Sequence, residues 1–454
     1  MSPSNLLQWK RLEVIMDPQE LMIIGGGLAG CEAAWQAARR GVKVRLFEMR
    51  PQVHTPAHKT EGLAELVCSN SLGSNDPLNA SGILKEEMRL LDSLVIRTAD
   101  GTTVPAGSAL AVERQEFSRR ITKEIENHPN IRVVREEITE VPSDRVALIS
   151  TGPLTSDKLA ESLRYLTRAD HLYFYDSIAP IVDGESIEMD KVFRASRYDK
   201  GGADYINCPM TREEYDQFYQ ALLAAEKVPS KPFEKIPYFE GCVPIEVMAE
   251  RGRETLVFGP MKPVGLVNPR TGKRPYAVVQ LRQEDVFGSC YNIVGFQTKL
   301  TWPEQRRVFR LIPGLAQAEF LRLGSLHRNT FINAPFVLKE SLQVRRKPTL
   351  LLAGQLVGVE GYVESAAMGL IAGINGARLL KGLEPVSPPP TTAHGSLLAY
   401  LTRSSPRHFQ PMNINFGLFP HIPETIRDKQ LRRKTVGHRA VEDLKQWCRQ
   451  NNPL

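Results

Sequence analysis

Three glycines near the N-terminus, Gly25, Gly27 and Gly30, have the G-x-G-x-x-G spacing of a dinucleotide-binding turn. The first glycine permits a tight turn, the second lets the backbone approach a pyrophosphate, and the third lets the next helix pack closely on the strand. Helix N-termini bind phosphate through their unsatisfied N–H groups. The spacing therefore predicts a cofactor site made by Gly25, Gly26, Gly27, Leu28, Ala29 and Gly30.

The segments around these glycines favour a true site over a chance glycine turn. An apolar run at 21–24 predicts a strand, 31–40 has the composition of a helix, and 42–47 alternates as a second strand. That second strand ends at Glu48, where a carboxylate would bind the ribose hydroxyls of an adenosine. A carboxylate also disfavours a 2′-phosphate, so FAD or NAD fits this site better than NADP.

A second strand and glycine turn near the C-terminus favours FAD over NAD. Residues 349–355 predict a buried strand, and a loop with Gly354 and Gly361 leads from it into a helix of small residues. The N-terminus of that helix would face the flavin and stabilise negative charge on the reduced ring. A further apolar strand at 146–153 is expected either to end near the cofactor or to be an ordinary buried strand.

Two cysteines lie in segments that suit chemistry. Cys68 is in a polar turn, and Cys242 is in a loop between a glycine and a proline. A thiolate at either position could act as a nucleophile. Each could equally be a small buried apolar side chain, which is the commoner role of cysteine, and composition does not choose between these readings.

Basic residues gather in a segment rich in proline and glycine that also carries Phe258 and Tyr276. They are Arg251, Arg253, Lys262, Arg270, Lys273, Arg274 and Arg282. Such a mixture could bind a nucleic-acid backbone and stack bases, with Arg270, Lys273 and Arg274 as our candidates. The alternative is a solvated basic surface. A second basic segment is a helix predicted at 427–450.

Composition limits the classes of protein that remain. The chain has 454 residues, 42% of them hydrophobic, and a formal net charge of +7, which permits a polyanionic partner without requiring one. No apolar stretch approaches the roughly 20 residues of a membrane span. The six cysteines are scattered and include no C-x-x-C pair. This pattern argues against a structural zinc site, so no metal site is predicted, and against a disulfide framework. We therefore expect a cytoplasmic chain.

The order of these segments predicts an α/β fold, with a Rossmann-type FAD-binding domain and a smaller mixed α+β insertion built around an antiparallel sheet. The predicted boundaries are a loose extension at 1–20, the two parts of the FAD-binding domain at 21–180 and 326–454, and the insertion at 181–325. The second part includes the basic C-terminal helix. No stable protein partner is predicted.

Several motifs together resemble the family of folate- and FAD-dependent tRNA (uracil-5-)-methyltransferases. They lie at 25–30, 48–51, 55–58, 66–71, 240–246, 327–331 and 354–365. The resemblance runs from about residue 21 to about residue 440. The first and last motifs are shared with the related flavoproteins that modify the wobble uridine, whose longer C-terminal helical region this chain lacks.

The resemblance implies a reaction and roles for residues. 5,10-Methylenetetrahydrofolate would supply a one-carbon unit, FAD reduced by NADH or NADPH would help convert it to a methyl group, and carbon 5 of a T-loop uridine in tRNA would receive it. Cys242 would be the nucleophile and Cys68 a second catalytic thiol. Tyr362 would stack on the folate pterin, or else be a loop aromatic that packs on the core.

Two other hypotheses compete with the methyltransferase. One is a general FAD oxidoreductase that acts on a small molecule, in which the basic residues are incidental. The other is a flavin-containing RNA-binding protein without catalysis. Transfer of label from methylene-folate into unmodified tRNA separates the first hypothesis from both of these.

Overall fold

The computed structural model describes residues 19–167, 172–177, 179–199, 202–228, 243–324, 326–422 and 426–451, with the backbone alone at 172–177 and 326–329. The strands are β1 (Leu21–Ile24), β2 (Val44–Glu48), β3 (Ser71–Ser74), β4 (Thr103–Val104), β5 (Ala109–Val112), β6 (Ile131–Arg135), β7 (Ala147–Ile149), β8 (Leu172–Ser177), β9 (Ile181–Asp183), β10 (Phe193–Arg194), β11 (Tyr205–Met210), β12 (Ala277–Gln283), β13 (Cys290–Ile293), β14 (Phe320–Arg322), β15 (Leu326–Phe331), β16 (Gln343–Val344) and β17 (Lys347–Leu352). The helices are α1 (Leu28–Ala38), α2 (Ala80–Leu90), α3 (Leu94–Asp100), α4 (Arg114–Asn127), α5 (Asp157–Thr167), α6 (Arg212–Ala224), α7 (Ile245–Glu250), α8 (Thr255–Phe258), α9 (Trp302–Phe309), α10 (Ala334–Val337), α11 (Tyr362–Leu380), α12 (Ala393–Arg403) and α13 (Lys429–Asn451).

The first sheet has the order β16-β17-β7-β1-β2-β6. Strand β1 pairs in parallel with β2 on one side and with β7 on the other, and β17 continues the parallel arrangement beyond β7. A run that is apolar at every position suits a strand covered on both faces, and all four residues of β1 are buried. The parallel sheet confirms the α/β prediction, and β7 returns beside the first strand.

A second six-stranded sheet has the order β10-β11-β12-β13-β9-β14 and is antiparallel throughout. It has a hydrophobic core of its own, in which the largest buried side chains are Tyr215, Phe218, Phe296 and Phe309. The antiparallel sheet predicted for the insertion is therefore present. Strands β8 and β15 pair with each other. In sequence, β8 follows a strand of the first sheet and precedes one of the second, and β15 leads back from the second sheet to the first. The domain boundaries remain a prediction.

Helix α1 begins three residues earlier than the sequence indicates, at Leu28 rather than Cys31. The reason is that Gly27 serves as its N-cap, so the helix follows directly on the glycine turn. The basic C-terminal helix α13 is present and packs against α2. In the part of the chain that the structure describes, no helix is long and apolar enough to span a membrane.

Candidate functional site

In the turn between β1 and α1, glycine has a different structural role at each of the three positions. Gly25 has a φ of 106°, and a Cβ there would lie 2.7 Å from the carbonyl oxygen of Ser150. A Cβ on Gly30 would lie 1.8 Å from the carbonyl oxygen of Gly25. A Cβ on Gly27 would meet no atom within 4 Å, because this position faces open space. The turn thus leaves room for a ligand where a pyrophosphate is expected.

Glu48 ends β2 beside this turn. Its carboxylate accepts hydrogen bonds from the backbone N of Gly26 and from the backbone N and Nε of Arg50, each at 3.0 Å. Burial alone would raise the pKa of Glu48, but the hydrogen bonds and charge of Arg50 lower it below its ordinary value. Each carboxylate oxygen has more than one acceptor position, so the ionised group still has capacity to accept from a ribose hydroxyl.

Helices α1 and α11 cross with their backbones in contact. A Cβ on Gly369 would lie 2.2 Å from the carbonyl oxygen of Ala29, and one on Gly373 would lie 2.4 Å from that of Ala33. The small residues that the sequence places in this C-terminal helix therefore serve the close approach of the two helices. Gly361, with a φ of 110°, is the N-cap of α11, and no side chain caps either helix.

One cleft joins the two helix N-termini and has an empty volume of about 1030 Å³, its open mouth included. Its lining includes eight of the predicted site residues: Gly25, Gly26, Gly27, Leu28, Ala29, Glu48, Gly354 and Tyr362. Gly30 and Gly361 support this lining through α1 and α11. A cleft that two uncapped helix N-termini face fits the pyrophosphate and flavin ends of a dinucleotide such as FAD.

Cys68 lies in a turn at one side of the cleft, and we call residues 66–70 the Cys68 turn. The hydroxyl oxygen of Tyr362 accepts hydrogen bonds from the backbone N of Cys68 at 2.7 Å and from that of Ser69 at 3.3 Å. Burial raises the pKa of Tyr362 well above its usual range, so the hydroxyl is neutral. The first residue of α11 therefore holds the Cys68 turn against the cleft.

Three arginines surround the same turn. Arg114 donates to the carbonyl oxygen of Leu66, and Arg322 donates to that of Val67. Arg282 donates to the Oγ of Ser69 at 2.6 Å and to the Oδ1 of Asn70 at 2.9 Å. These contacts tie the Cys68 turn to the antiparallel sheet, because Arg282 and Arg322 belong to β12 and β14.

The charges of these arginines are only partly balanced. Among the described residues Arg114 forms an ion pair with Glu284 at 2.7 Å, and neither of the other two arginines forms one. Burial lowers the pKa of Arg322, and the neighbouring charge of Arg114 lowers it further. All three guanidinium groups interact electrostatically with the Cys68 thiol. Positive charge of this kind stabilises an anion in the turn.

The remaining predicted residues have different surroundings. Cys242 lies outside the described residues. Lys273 and Arg274 are exposed, whereas the guanidinium of Arg270 donates to the carbonyl oxygens of Met189 at 3.0 Å and Val192 at 2.9 Å, and to that of Asp190. The role of Arg270 in RNA binding stays a prediction.

The sequence groups Arg282 with the residues of a basic surface, but the structure does not place it there. It is buried and binds the Cys68 turn. No role was predicted from the sequence for Arg50, Arg114 or Arg322, which contact the predicted site residues or their turn. Arg50 lies in the motif at 48–51, two positions from Glu48. No local motif marks Arg114 and Arg322, because their partners in the Cys68 turn are distant in sequence.

Comparisons with known proteins agree with this geometry. The family model described as "GIDA: Glucose inhibited division protein A" matches residues 20–384. A protein of Geobacter sulfurreducens named methylenetetrahydrofolate–tRNA-(uracil-5-)-methyltransferase TrmFO is 61% identical over 426 residues, which are 94% of this chain and 98% of the relative. The protein of the same name from Pelotomaculum thermopropionicum is 60% identical over 429 residues, again 94% and 98%.

A solved structure of GidA from Aquifex aeolicus has the same fold. It superimposes with a TM-score of 0.67 at 18% sequence identity, and the match covers 94% of this chain and 73% of that one. At this identity the likeness concerns the fold alone, and it confirms the predicted Rossmann-type architecture.

Proposed function

Because the chain belongs to the family described as glucose inhibited division protein A, we propose that it is a methylenetetrahydrofolate- and FAD-dependent tRNA (uracil-5-)-methyltransferase. The near full-length relatives confirm the resemblance found in the sequence. The observation that carries the proposal is the position of the Cys68 turn, which Tyr362 ties to the start of α11. The backbone of Cys68 is thereby held next to the first residue of α11, and the flavin would bind at the N-terminus of that helix.

The chain's own groups would bind the cofactor in three places. The N–H groups at Gly27 and the start of α1 would face the pyrophosphate, Glu48 would accept from the ribose hydroxyls, and the N-terminus of α11 would face the flavin. FAD, when bound, supplies the electrons that convert the one-carbon unit to a methyl group, and NADH or NADPH restores them. The sequence has no second G-x-G-x-x-G motif, which is consistent with transient binding of the nicotinamide nucleotide.

Carbon 5 of uracil is a poor nucleophile and needs activation. A thiolate that adds to carbon 6 moves electrons to the carbonyl oxygen, and the resulting enolate reacts at carbon 5 with the one-carbon unit. A base then removes the carbon 5 proton, and tetrahydrofolate departs from the transferred carbon as its C–N bond breaks. The two electrons that FAD would supply complete the methyl group, and departure of the thiolate from carbon 6 restores the ring. We assign Cys242 as the nucleophile and Cys68 as the second thiol, which acts on protons or protects the flavin.

The substrates would meet these thiols from two sides. Tyr362 lines the cleft, and its ring would stack on the pterin of methylenetetrahydrofolate while its hydroxyl holds the Cys68 turn. Exposed Lys273 and Arg274, with Arg270 beside them, would contact phosphates of the tRNA. The target would be a T-loop uridine, and the enzyme would act in the cytoplasm.

The proposal is tested by transfer of label from methylene-folate to unmodified tRNA with the reduced holoenzyme. Label is expected in 5-methyluridine of the T loop, and Cys242→Ala is expected to abolish transfer while FAD stays bound. A yellow protein that transfers no label under these conditions would refute the function. Transfer that survives in Cys242→Ala would refute only the assignment of the nucleophile.

A further inference from the structure

A cavity near the start of β12 lies apart from the cofactor cleft, and the two share no lining residue among those that the structure describes. Most of its lining is apolar or aromatic and consists of Val257, Phe258, Pro263, Val264, Pro275 and Tyr276. The rest of the described lining is Lys262 and Arg274. A ligand in this cavity would therefore not compete with the cofactor.

Phe258 is the last residue of α8, and its side chain is 81% exposed. A single exposed apolar side chain is common on protein surfaces, so exposure alone indicates no function. The backbone beneath the ring is fixed, because Leu256 is fully buried in the core of the antiparallel sheet and its carbonyl oxygen accepts from the backbone N of Met261 at 2.8 Å. A ligand that contacts the Phe258 ring would therefore not have to order the chain first.

Tyr276, the other aromatic residue of the cavity, is already engaged by the protein. The centroid of its ring lies 5.3 Å from that of Tyr215 and 5.6 Å from the guanidinium carbon of Arg253. Its hydroxyl donates to the carboxylate of Glu254 at 3.1 Å and accepts from Arg253 at 3.0 Å. Tyr276 therefore forms a fixed wall, and Phe258 is the aromatic ring that remains available to a ligand.

The charged residues of the cavity are both cations. Lys262 and Arg274 are exposed, and in the described part of the chain neither side chain has an ion pair or a hydrogen bond. The carboxylate that contacts Tyr276, that of Glu254, is itself paired with Arg253 at 2.7 Å. The cavity therefore presents uncompensated positive charge beside an exposed aromatic ring.

These two features together match the chemistry of a nucleotide in an unpaired stretch of RNA. Its flat base stacks on aromatic side chains, and its phosphates bind cations. An acidic peptide would need an aromatic side chain at a defined spacing to use the same ring, whereas every nucleotide of RNA carries both groups. The tRNA substrate proposed above contains such nucleotides in its loops.

We propose that this cavity binds one unpaired nucleobase of the tRNA substrate, with the base stacked on Phe258 and the adjoining phosphates on Lys262 and Arg274. This inference rests on the proposed function, because it takes tRNA as the partner. Phe258 is a binding residue and contacts no reacting atom, since its cavity is separate from the cofactor cleft.

The test compares holoenzymes that carry Phe258→Ala, Phe258→Trp or Lys262→Gln with the unsubstituted protein. The matched control is Phe287→Ala, because Phe287 is 91% exposed but lies beside a carboxylate, that of Asp285, which accepts from its backbone N at 2.8 Å. The probes are single-stranded oligouridylate and an oligomer of equal length whose riboses carry no base.

Binding of both probes is measured by fluorescence anisotropy at several salt concentrations. The kcat and KM for methyl transfer to unmodified tRNA are measured with the same proteins, and their FAD content checks that each variant is folded.

Phe258→Ala is expected to weaken the binding of oligouridylate by about fivefold to a hundredfold, which is the range for loss of one base–aromatic stack. Its binding of the abasic oligomer should not change. Phe258→Trp should keep the affinity, and Phe287→Ala should bind both probes as the unsubstituted protein does. The KM for tRNA should rise in Phe258→Ala at unchanged kcat, because a contact remote from the reacting atoms stabilises substrate and transition state equally.

Lys262→Gln should act differently from Phe258→Ala. It should weaken the binding of both probes, because both carry phosphates. The slope of log K against log salt should become shallower by about 0.7, the contribution of one phosphate contact on a single strand. Phe258→Ala should leave this slope unchanged.

Three results would overturn the inference. The first is an unchanged affinity for oligouridylate and an unchanged KM in Phe258→Ala. The second is an equal loss for the abasic oligomer, which would mean that Phe258 contacts no base. The third is a Phe258-dependent affinity for an acidic aromatic peptide that exceeds the affinity for oligouridylate, which would assign the cavity to a protein partner.

Failure of the proposed function would be seen separately. If the unsubstituted protein transfers no methyl group to tRNA, the proposed function fails, while a Phe258-dependent affinity for oligouridylate would still support the base site.

Discussion

The cofactor cradle, which consists of the turn at 25–30, Glu48 and the N-termini of α1 and α11, lies at the same cleft as the Cys68 turn. The two regions are held together by different kinds of contact. The cradle depends on backbone contacts, such as that of Gly30 with the carbonyl of Gly25, and on two helices that cross through glycines. The Cys68 turn depends on side chains that come from far along the chain, including Arg282 and Arg322. The cofactor site is thus built mostly from backbone, whereas the turn that carries the thiol is held by side chains, two of them from the antiparallel sheet.

The strongest test of this contrast concerns Gly30. We expect Gly30→Ala to destabilise the protein by several kcal/mol and to abolish FAD binding, because its Cβ would lie 1.8 Å from a backbone oxygen. The matched variant is Gly27→Ala, whose Cβ meets no protein atom and whose φ of −76° suits alanine. It should keep the apoprotein's Tm and still lose FAD affinity. Equal Tm losses in the two variants would contradict the distinct roles of these glycines.

A second prediction concerns the arginines of the Cys68 turn. Arg322→Met should lower kcat for methyl transfer by about tenfold to a hundredfold, because a buried hydrogen bond to a charged group is worth about 1.5–3 kcal/mol. The FAD content should not change, since no contact of Arg322 with the cradle exists among the described residues. Arg119→Ala, which removes an exposed ion pair with Glu116, is the control and should leave both quantities unchanged. Loss of FAD in Arg322→Met would mean that the two regions are not independent.

Tyr362 joins the two regions, and its hydroxyl and ring are expected to have separable effects. Tyr362→Phe leaves the N–H of Cys68 without its acceptor and should reduce kcat by about tenfold, in line with a cost of about 1–3 kcal/mol for an unsatisfied buried group. The KM for methylenetetrahydrofolate should stay the same, because the ring is retained. Tyr362→Leu should raise that KM as well. Steady-state kinetics with both variants measure this, and a raised KM in Tyr362→Phe would count against pterin stacking.

A last prediction concerns the pH dependence of stability and leaves activity aside. Burial lowers the pKa of Lys85 to about 8, while its Nζ donates to the carbonyl of Ser74 at the end of β3, the strand that follows the Cys68 turn. The unfolded chain binds this proton up to about pH 10.5. Between about pH 8 and pH 10.5 the folded state therefore holds fewer protons than the unfolded state, and the free energy of unfolding should rise with pH.

The Lys85 prediction is checked by urea unfolding at pH 8 and pH 10. The unmodified protein should gain stability relative to Lys85→Met, by at most about 3 kcal/mol. Lys85→Met removes the titrating group and keeps much of its volume. Parallel pH curves for the two proteins would show that Lys85 does not titrate in this window.

The same contrast explains what the sequence could predict. The turn at 25–30, the acidic end of β2 and the second glycine turn are each marked by residue types and spacing within one short segment, and the structure contains all three elements. Arg282 was grouped with a basic surface, because nothing in its own segment shows that β12 passes Asn70, which is 212 positions away. Side chains that act through such distant contacts have no spacing to identify them. Helix α1 begins three residues before its predicted start, because Gly27 is the N-cap of the helix.

A crystal structure with FAD bound would test most directly whether the thiol turn is fixed at the flavin end of the cleft. We predict that the pyrophosphate lies against Gly27, that the flavin lies at the N-terminus of α11, and that Tyr362 still accepts from the backbone N of Cys68. The Cys68 sulfur should then be within van der Waals contact of the flavin ring, about 4 Å. A flavin at the opposite end of the cleft, or a Cys68 turn detached from Tyr362, would contradict this arrangement.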